Sequence, residues 1–145
     1  MGKKVFLASD HAGFSLKSAL CEHLKEQGHE VYDLGPEQAI SCDYPNSAFK
    51  VTDKVLENED SLGILICGTG IGMSMAANKV KGIRAALATC EFHAKATRQH
   101  NNANVLCLGE RVTGVGVALG IADIFLNTEF EGGRHLRRIE LFDKM

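Results

Sequence analysis

Strand-like and helix-like segments alternate along the whole of this 145-residue chain. That alternation predicts an α/β protein: a Rossmann-like three-layer α/β/α sandwich around a five-stranded parallel sheet. Two further observations agree. The strand-like runs are short and almost continuously apolar, Leu62–Cys67 above all, as strands buried on both faces must be. Residues able to do chemistry stand at the predicted carboxyl ends of the strands: Asp10-His11, Asp33, Cys67-Gly68-Thr69, Thr89 and Gly109-Glu110-Arg111. Open parallel sheets bind ligands beyond those ends, near the point where the strand order reverses.

The elements follow in order. Lys4–Ser9 reads as the first strand. Phe14–Gln27 reads as an amphipathic helix, with Leu16, Ala19, Leu20 and Leu24 on one side and Gly28 as its stop. Glu30–Asp33 is a short second strand, and Leu34–Asp43 a loop. Pro45 suits the first turn of a helix reaching about Asn58. Leu62–Cys67 is the third strand and Ile71–Lys79 the helix after it. Ile83–Ala88 is the fourth strand, Glu91–Gln99 a helix and Val105–Leu108 the fifth strand. Thr113–Leu126 and Leu136–Lys144 are the last two helices. Apolar residues almost encircle the first of these: Val115, Val117, Ala118, Leu119, Ile121, Ala122, Ile124 and Phe125. A helix apolar all round in a chain this small predicts a subunit interface.

Composition narrows the function classes. A chain of 145 residues fits one domain, residues 1–145, with a substantial core. A net charge of −2 gives no global attraction to nucleic acid or to anionic membrane. No apolar run approaches the length of a membrane span. The five cysteines, at 21, 42, 67, 90 and 107, form no CxxC pair. With no recognisable signal peptide, they point to a reducing cytoplasm.

The most informative stretch is Ile64-Leu-Ile-Cys67-Gly-Thr-Gly-Ile-Gly72. An apolar strand ends on a cysteine, a glycine loop follows and a helix begins. A thiol there meets free backbone N–H groups and the positive end of a helix, both of which favour thiolate. The same N–H groups can hold an oxygen that gains negative charge during a reaction. A dinucleotide fingerprint fits poorly. The spacing is GxGxG because Met73 stands at the next position, and the loop follows the third strand, not the first. No Gly-Lys-Ser/Thr makes it a nucleotide-phosphate loop.

Each candidate also has a plain structural reading. Cys21 and Cys107 read as small buried hydrophobes. Cys67 by itself is as consistent with packing as with chemistry; the glycine loop favours chemistry. Asp10-His11 can simply cap the first helix, and His100 can be a solvated helix end. The run Gly132-Gly133-Arg134-His135-Leu136-Arg137-Arg138 can be a solvated charge run. Arg134 and Arg138, spaced i,i+4, would share a helical face, where two guanidiniums can clamp a phosphate.

Taken together, Ser9-Asp10-His11-Ala12-Gly13, Asp43-Tyr44-Pro45, the loop at 66–72, Ala76-Ala77-Asn78-Lys79, Gly82-Ile83-Arg84-Ala85, Arg98-Gln99-His100-Asn101, Asn104-Val105-Leu106 and Gly132-Gly133-Arg134-His135 resemble one family from end to end. It is that of type B ribose-5-phosphate isomerases and the related galactose-6-phosphate isomerase subunits. The resemblance implies interconversion of an aldose phosphate and a ketose phosphate through an enediolate, with no metal and no cofactor. It implies Cys67 as the base between C2 and C1, in the branch that uses cysteine, since no Glu lies in the 71–75 stretch. His100 matches the ring-opening residue, and Asp10, also of the catalytic set, a partner near the sugar hydroxyls and ring oxygen. Gly68, Thr69, Gly70, Ile71 and Gly72, with Asn101, match the groups that stabilise the enediolate, Thr69 counting among the catalytic set. His11, Arg111, Arg134 and Arg138 match the phosphate-binding set.

In the heteromeric relatives, one subunit type keeps the cysteine loop and the other the His-Asn and Arg segments. This chain carries both. The resemblance therefore implies a homodimer or dimer of dimers with active sites shared across an interface, acting on a small sugar phosphate. Two alternatives remain open. One is an isomerase of a six-carbon sugar phosphate such as allose 6-phosphate or galactose 6-phosphate. The other is a non-catalytic sugar-phosphate-binding module.

Overall fold

The computed structural model describes residues 2–145. Five parallel strands form one sheet: β1 (Lys4–Ser9), β2 (Glu30–Asp33), β3 (Leu62–Cys67), β4 (Ala85–Leu87) and β5 (Val105–Gly109), in the order β2-β1-β3-β5-β4. The chain steps outward from β1 to β2, then returns to the other side of β1 to lay down β3. The order therefore reverses between β1 and β3, and Ser9 lies opposite Ile66 at that point. On the far side of β3, Cys67 lies opposite Gly109 of β5. Asp10, Cys67 and Gly109 thus share the carboxyl edge of three neighbouring strands.

Helices cover both faces, as the alternation requires. Helices α1 (Phe14–Glu26), α4 (Glu91–Ala96) and α5 (Val115–Asn127) pack on the face presenting Val5, Leu7, Ile64, Ile66 and Leu106. Helices α2 (Tyr44–Glu57) and α3 (Ile71–Ala77) cover the other, which presents Phe6, Ala8, Leu65, Cys67 and Cys107. Alternate residues of β3 therefore serve opposite layers, and all six are buried. Each fully buried Leu or Ile contributes about 1.5 to 3 kcal/mol of burial free energy. Gly63 is the exception in β3. A Cβ there would stand 2.5 Å from Val51 Cγ1, so its absence lets α2 lie close against the sheet.

The observed elements depart from the predicted ones in identifiable places. Strand β4 covers 85–87, shorter than 83–88, because it is an edge strand paired only with β5. The last helix, α6 (Arg134–Asp143), starts two residues before Leu136, directly after Gly133, whose φ is +59°. Helix α5 uses its apolar residues unequally. Ala118, Ile121, Ala122, Phe125 and Leu126 enter the core, while Val115 and Val117 remain exposed. The segment predicted as the end of one helix over 91–99 is two pieces, α4 and then a π-helical turn over Thr97–Asn101. A short 3-10 turn, His11–Gly13, precedes α1. Among the described residues no helix is long and apolar enough to cross a membrane.

Candidate active site

The carboxyl edge of the sheet assembles the first group of predicted residues. Cys67 ends β3, buried, and its Sγ accepts a hydrogen bond from the Gly70 N–H at 3.1 Å. That bond needs Gly70 in a left-handed conformation, φ +80°. A side chain at 70 would also meet Leu87 Cδ1 at 2.6 Å and the Leu108 carbonyl carbon at 2.9 Å. The glycine is therefore required on two counts, backbone hand and space. Thr69 is exposed, and its Oγ1 accepts the Ile71 N–H at 3.2 Å. Helix α3 has only seven residues, so the loop's aimed N–H groups matter more here than a long-helix dipole.

Asp10 sits beside this loop, its N–H donating to the Ile66 carbonyl at 3.2 Å. Its Oδ1 accepts from the N–H groups of Ala12 and Gly13 at 3.0 and 3.1 Å. The plain reading of Asp10 as a cap is thus correct for one oxygen, and Oδ2 carries none of those bonds. His11 follows, exposed. Arg111 donates its N–H to the Gly68 carbonyl at 3.0 Å, and its guanidinium lies across the same glycine: a Gly68 Cβ would stand 3.2 Å from Nη1. Cys67, Asp10, His11, Arg111 and the loop at 68–72 therefore form one cluster.

His100 and Asn101 are elsewhere. They are exposed on the π turn that leads into the amino end of β5, whereas Cys67 lies opposite its carboxyl end. At about 3.3 Å per residue, the length of β5 separates the two groups by roughly 15 Å. Arg134 and Arg138 lie with His100, since α6 packs against the π turn and His135, next to Arg134, stacks on His100. The rings are 4.4 Å apart between centroids and inclined by 18°. Burial, then Arg134 and His100, hold the His135 pKa below the usual histidine range.

His100, Glu131 and His135 offer three ligand-type atoms within 4.8 Å of one another. The rings, however, are stacked, so their in-plane nitrogens point side by side. A metal with bonds near 2.1 Å needs convergent lone pairs, and Arg134 adds a like charge beside it. A cavity of about 720 Å³ at the β4 edge takes in Asn101 and Arg84, but neither Cys67, Asp10 nor Arg111 lines it.

The remaining cysteines separate from Cys67. All five are free thiols. Burial, with Asp33 nearby, pushes Cys21 up to about 11, and complete burial pushes Cys107 up as well. Both stay protonated at neutral pH and pack as apolar groups, as predicted. Cys90 is half-buried just before α4, and Cys42 is half-buried in the 34–43 loop.

Several contacts that shape the site are not visible in the motifs. The Tyr44 ring packs on Gly72, where a Cβ would stand 2.7 Å from the ring carbons. The Glu110 N–H donates to the Cys67 carbonyl at 3.0 Å, and its Oε1 accepts the Leu16 N–H at 2.7 Å, joining the site to α1. Lys17 is buried and reaches both Asp33 oxygens, at 2.8 and 3.1 Å, and the Pro36 carbonyl. Gly35, next to Pro36, accepts the Ser9 N–H at 3.1 Å, so this lysine ties the loop after β2 to the end of β1. The readable signal was a lysine beside Leu16 and Leu20 on a helix, matched by an acid at the end of the next strand.

A parallel α/β protein with a cysteine, an aspartate and an arginine-covered glycine loop at its switch point is built as an enzyme of small anionic substrates. The chain belongs to the Ribose/Galactose Isomerase family, whose model matches residues 5–142. It is 46% identical to ribose-5-phosphate isomerase B of Escherichia coli, over 95% of this chain and 93% of that protein. The crystal structure of a ribose 5-phosphate isomerase from Thermotoga maritima superposes with a TM-score of 0.97 at 48% identity, covering 100% of both chains. Ribose-5-phosphate isomerase B from Mycoplasma genitalium, solved with bound ribulose-5-phosphate, superposes with a TM-score of 0.94 at 51% identity, over 99% of this chain and 96% of that one.

Proposed function

We propose that the chain is a single isomerase domain that interconverts ribose 5-phosphate and ribulose 5-phosphate through an enediolate, with Cys67 as the base. One observation carries the reading: a cysteine at the switch point of the sheet, with the Gly70 N–H 3.1 Å from its sulfur and Asp10 at the next strand end. The near-identical fold of a relative solved with ribulose-5-phosphate supports the substrate class.

The chemistry proceeds in balanced steps. His100 assists ring opening by moving the anomeric hydroxyl proton toward the ring oxygen, which frees the C1 aldehyde. The Cys67 thiolate takes the proton from C2. The C–H electron pair becomes the C1–C2 double bond, and the carbonyl pair moves to O1. Backbone N–H groups of the 68–72 loop, with Asn101, hold that oxygen, where most of the stabilisation must fall because the carbon acid is weak. Proton exchange between the two oxygens and return of the proton from Cys67 to C1 give the ketose. Asp10 positions the sugar hydroxyls, and His11, Arg111, Arg134 and Arg138 hold the phosphate as charge-assisted donors. These steps need no cofactor.

The active site is shared between two copies of the chain. One copy supplies Asp10, His11, Cys67, Arg111 and the 68–72 loop; the other supplies His100, Asn101, Arg134 and Arg138. The separation of roughly 15 Å within a chain supports this division, and exposed Val115 and Val117 on α5 provide apolar surface for a homodimer. Five free thiols fit a reducing, cytoplasmic setting. The test is an isomerase assay on ribose 5-phosphate with added chelator. Turnover that survives chelation supports the reading. No turnover of ribose 5-phosphate, but turnover of allose 6-phosphate, would move the substrate to the six-carbon class.

A further inference from the structure

The π turn that carries His100 and Asn101 is held by two arginines that the proposed chemistry does not use, Arg98 within the turn and Arg84 outside it. Arg98 donates through Nη1 to Asn102 Oδ1 at 3.1 Å and to the Ala103 carbonyl, and through Nε to the Thr128 carbonyl at 3.2 Å. Arg84 Nε donates to the carbonyls of Asn101 and Asn102 at 3.0 and 3.1 Å. Arg84 Nη1 pairs with Asp143 Oδ2, in the last turn of α6, at 2.9 Å. The Arg84 backbone is itself fixed: its N–H donates to Asn104 Oδ1 at 2.8 Å, and its carbonyl accepts the Asn104 N–H at 2.9 Å.

Two features make this grip matter. A π turn opens the helical ladder, and Asn102 then reverses the chain at φ +47°, so the turn is a costly local conformation that needs outside bonds. Helix α6 buries only His135 and Ile139, too little apolar surface to fix a ten-residue helix by packing. Its placement depends on contacts at its two ends. At the first, His135 stacks on His100 and the Glu131 N–H donates to the Gln99 carbonyl at 3.1 Å. At the second stands the Arg84–Asp143 pair.

We infer that Arg84 is a positioning residue: its guanidinium joins the π turn to α6, so that His100 and Asn101 keep a fixed spacing from Arg134 and Arg138. Arg84 touches no substrate in this role. It acts through Asn101 and its neighbours, which the proposed reading assigns to the shared site and which are exposed on the turn. The fork geometry is essential, because one planar guanidinium meets two carbonyls and a carboxylate together, which an ammonium on a flexible stem does not. The inference rests on the proposed isomerase reading.

The test compares Arg84→Met, Arg84→Lys and Asp143→Asn with wild type, by steady-state kinetics per folded enzyme, thermal melting, and the double variant with His100→Ala. Arg84→Met should lower kcat at least about ten-fold and raise KM, as loss of its charged hydrogen bonds to the turn and to α6 implies. Asp143→Asn loosens only α6 and should raise KM several-fold with kcat nearly kept. Arg84→Lys should recover the Asp143 pairing but little of kcat. In the His100→Ala background, Arg84→Met should cost far less than in wild type, because the two act through one element. Unchanged constants per folded enzyme with only a lower melting temperature would make Arg84 merely structural and overturn the inference, as would full additivity with His100→Ala. Should Arg84→Met not fold, Arg84→Lys and Asp143→Asn decide by the same criteria. A wild type that does not isomerise ribose 5-phosphate instead overturns the functional reading beneath.

Discussion

Mixing two inactive variants distinguishes a shared site from one contained in a single chain. In the proposed mechanism Cys67 and His100 both touch the same small sugar, at atoms one or two bonds apart. With contacts of about 3 Å at each end, the two groups can stand no more than roughly 8 Å from each other. Within one chain they are separated by roughly the length of β5, about 15 Å. Consider Cys67→Ala and Arg134→Ala, each with little activity. In a mixed dimer one site collects both defects and the other neither. Refolding equal amounts together makes about half the dimers mixed by random pairing, and half of their sites are intact, so activity should recover to about one quarter of wild type. The assay is ribulose 5-phosphate formation at low substrate, because Arg134→Ala should act mainly on phosphate binding, with mass spectrometry to confirm mixed dimers. Mixed dimers without recovered activity would refute the shared site.

Two further outcomes follow from particular contacts. Gly70→Ala forces an L-residue into φ +80°, at about 1 to 2 kcal/mol, and places a methyl 2.6 Å from Leu87 Cδ1; activity should fall at least ten-fold with a lower melting temperature, and an unperturbed variant would show that the loop is not held as described. His29 Nδ1 accepts the Lys3 N–H at 2.9 Å, and burial holds the His29 pKa below its ordinary 6.5. The unfolded chain therefore takes up this proton first, so the His29 contribution is fully present above pH 6.5 and is lost as pH falls through the folded-state value. Urea midpoints should drop from about pH 7.5 to about pH 5.5, and drop less in His29→Gln; equal slopes would exclude His29 as a source.

Much of this molecule was legible in the sequence because its local and global signals agree. Leu62–Cys67 reads as a strand buried on both faces and is one. The glycine loop reads as a strand-to-helix turn, and Gly70, by backbone hand and space, and Gly72, by space, show why glycine is needed there. Element ends were less legible where long-range contacts set them. The apolar pattern places Ile83 in a strand, but β4 has only one partner strand and spans 85–87. The π turn over Thr97–Asn101 is not readable from periodicity, since its hydrogen bonds span one residue more than those of an α-helix and it is held by Arg84, Arg98 and a left-handed Asn102. Cys67 and His100 could be nominated from their motifs, but not their separation along the sheet, which depends on which edge of the sheet each motif reaches. The buried Lys17, and the bond by which Glu110 joins the site to α1, gain meaning only from partners distant in sequence.

In the proposed mechanism the Cys67 sulfur carries the proton between C2 and C1. The direct measurement is Cys67→Ala and Cys67→Ser turnover on ribose 5-phosphate, with exchange of the C2 hydrogen against deuterated water. Both variants should lose at least about 100-fold in turnover and in exchange while retaining the fold and binding of a substrate analogue. Near-normal exchange in Cys67→Ala would contradict the account and place the base elsewhere.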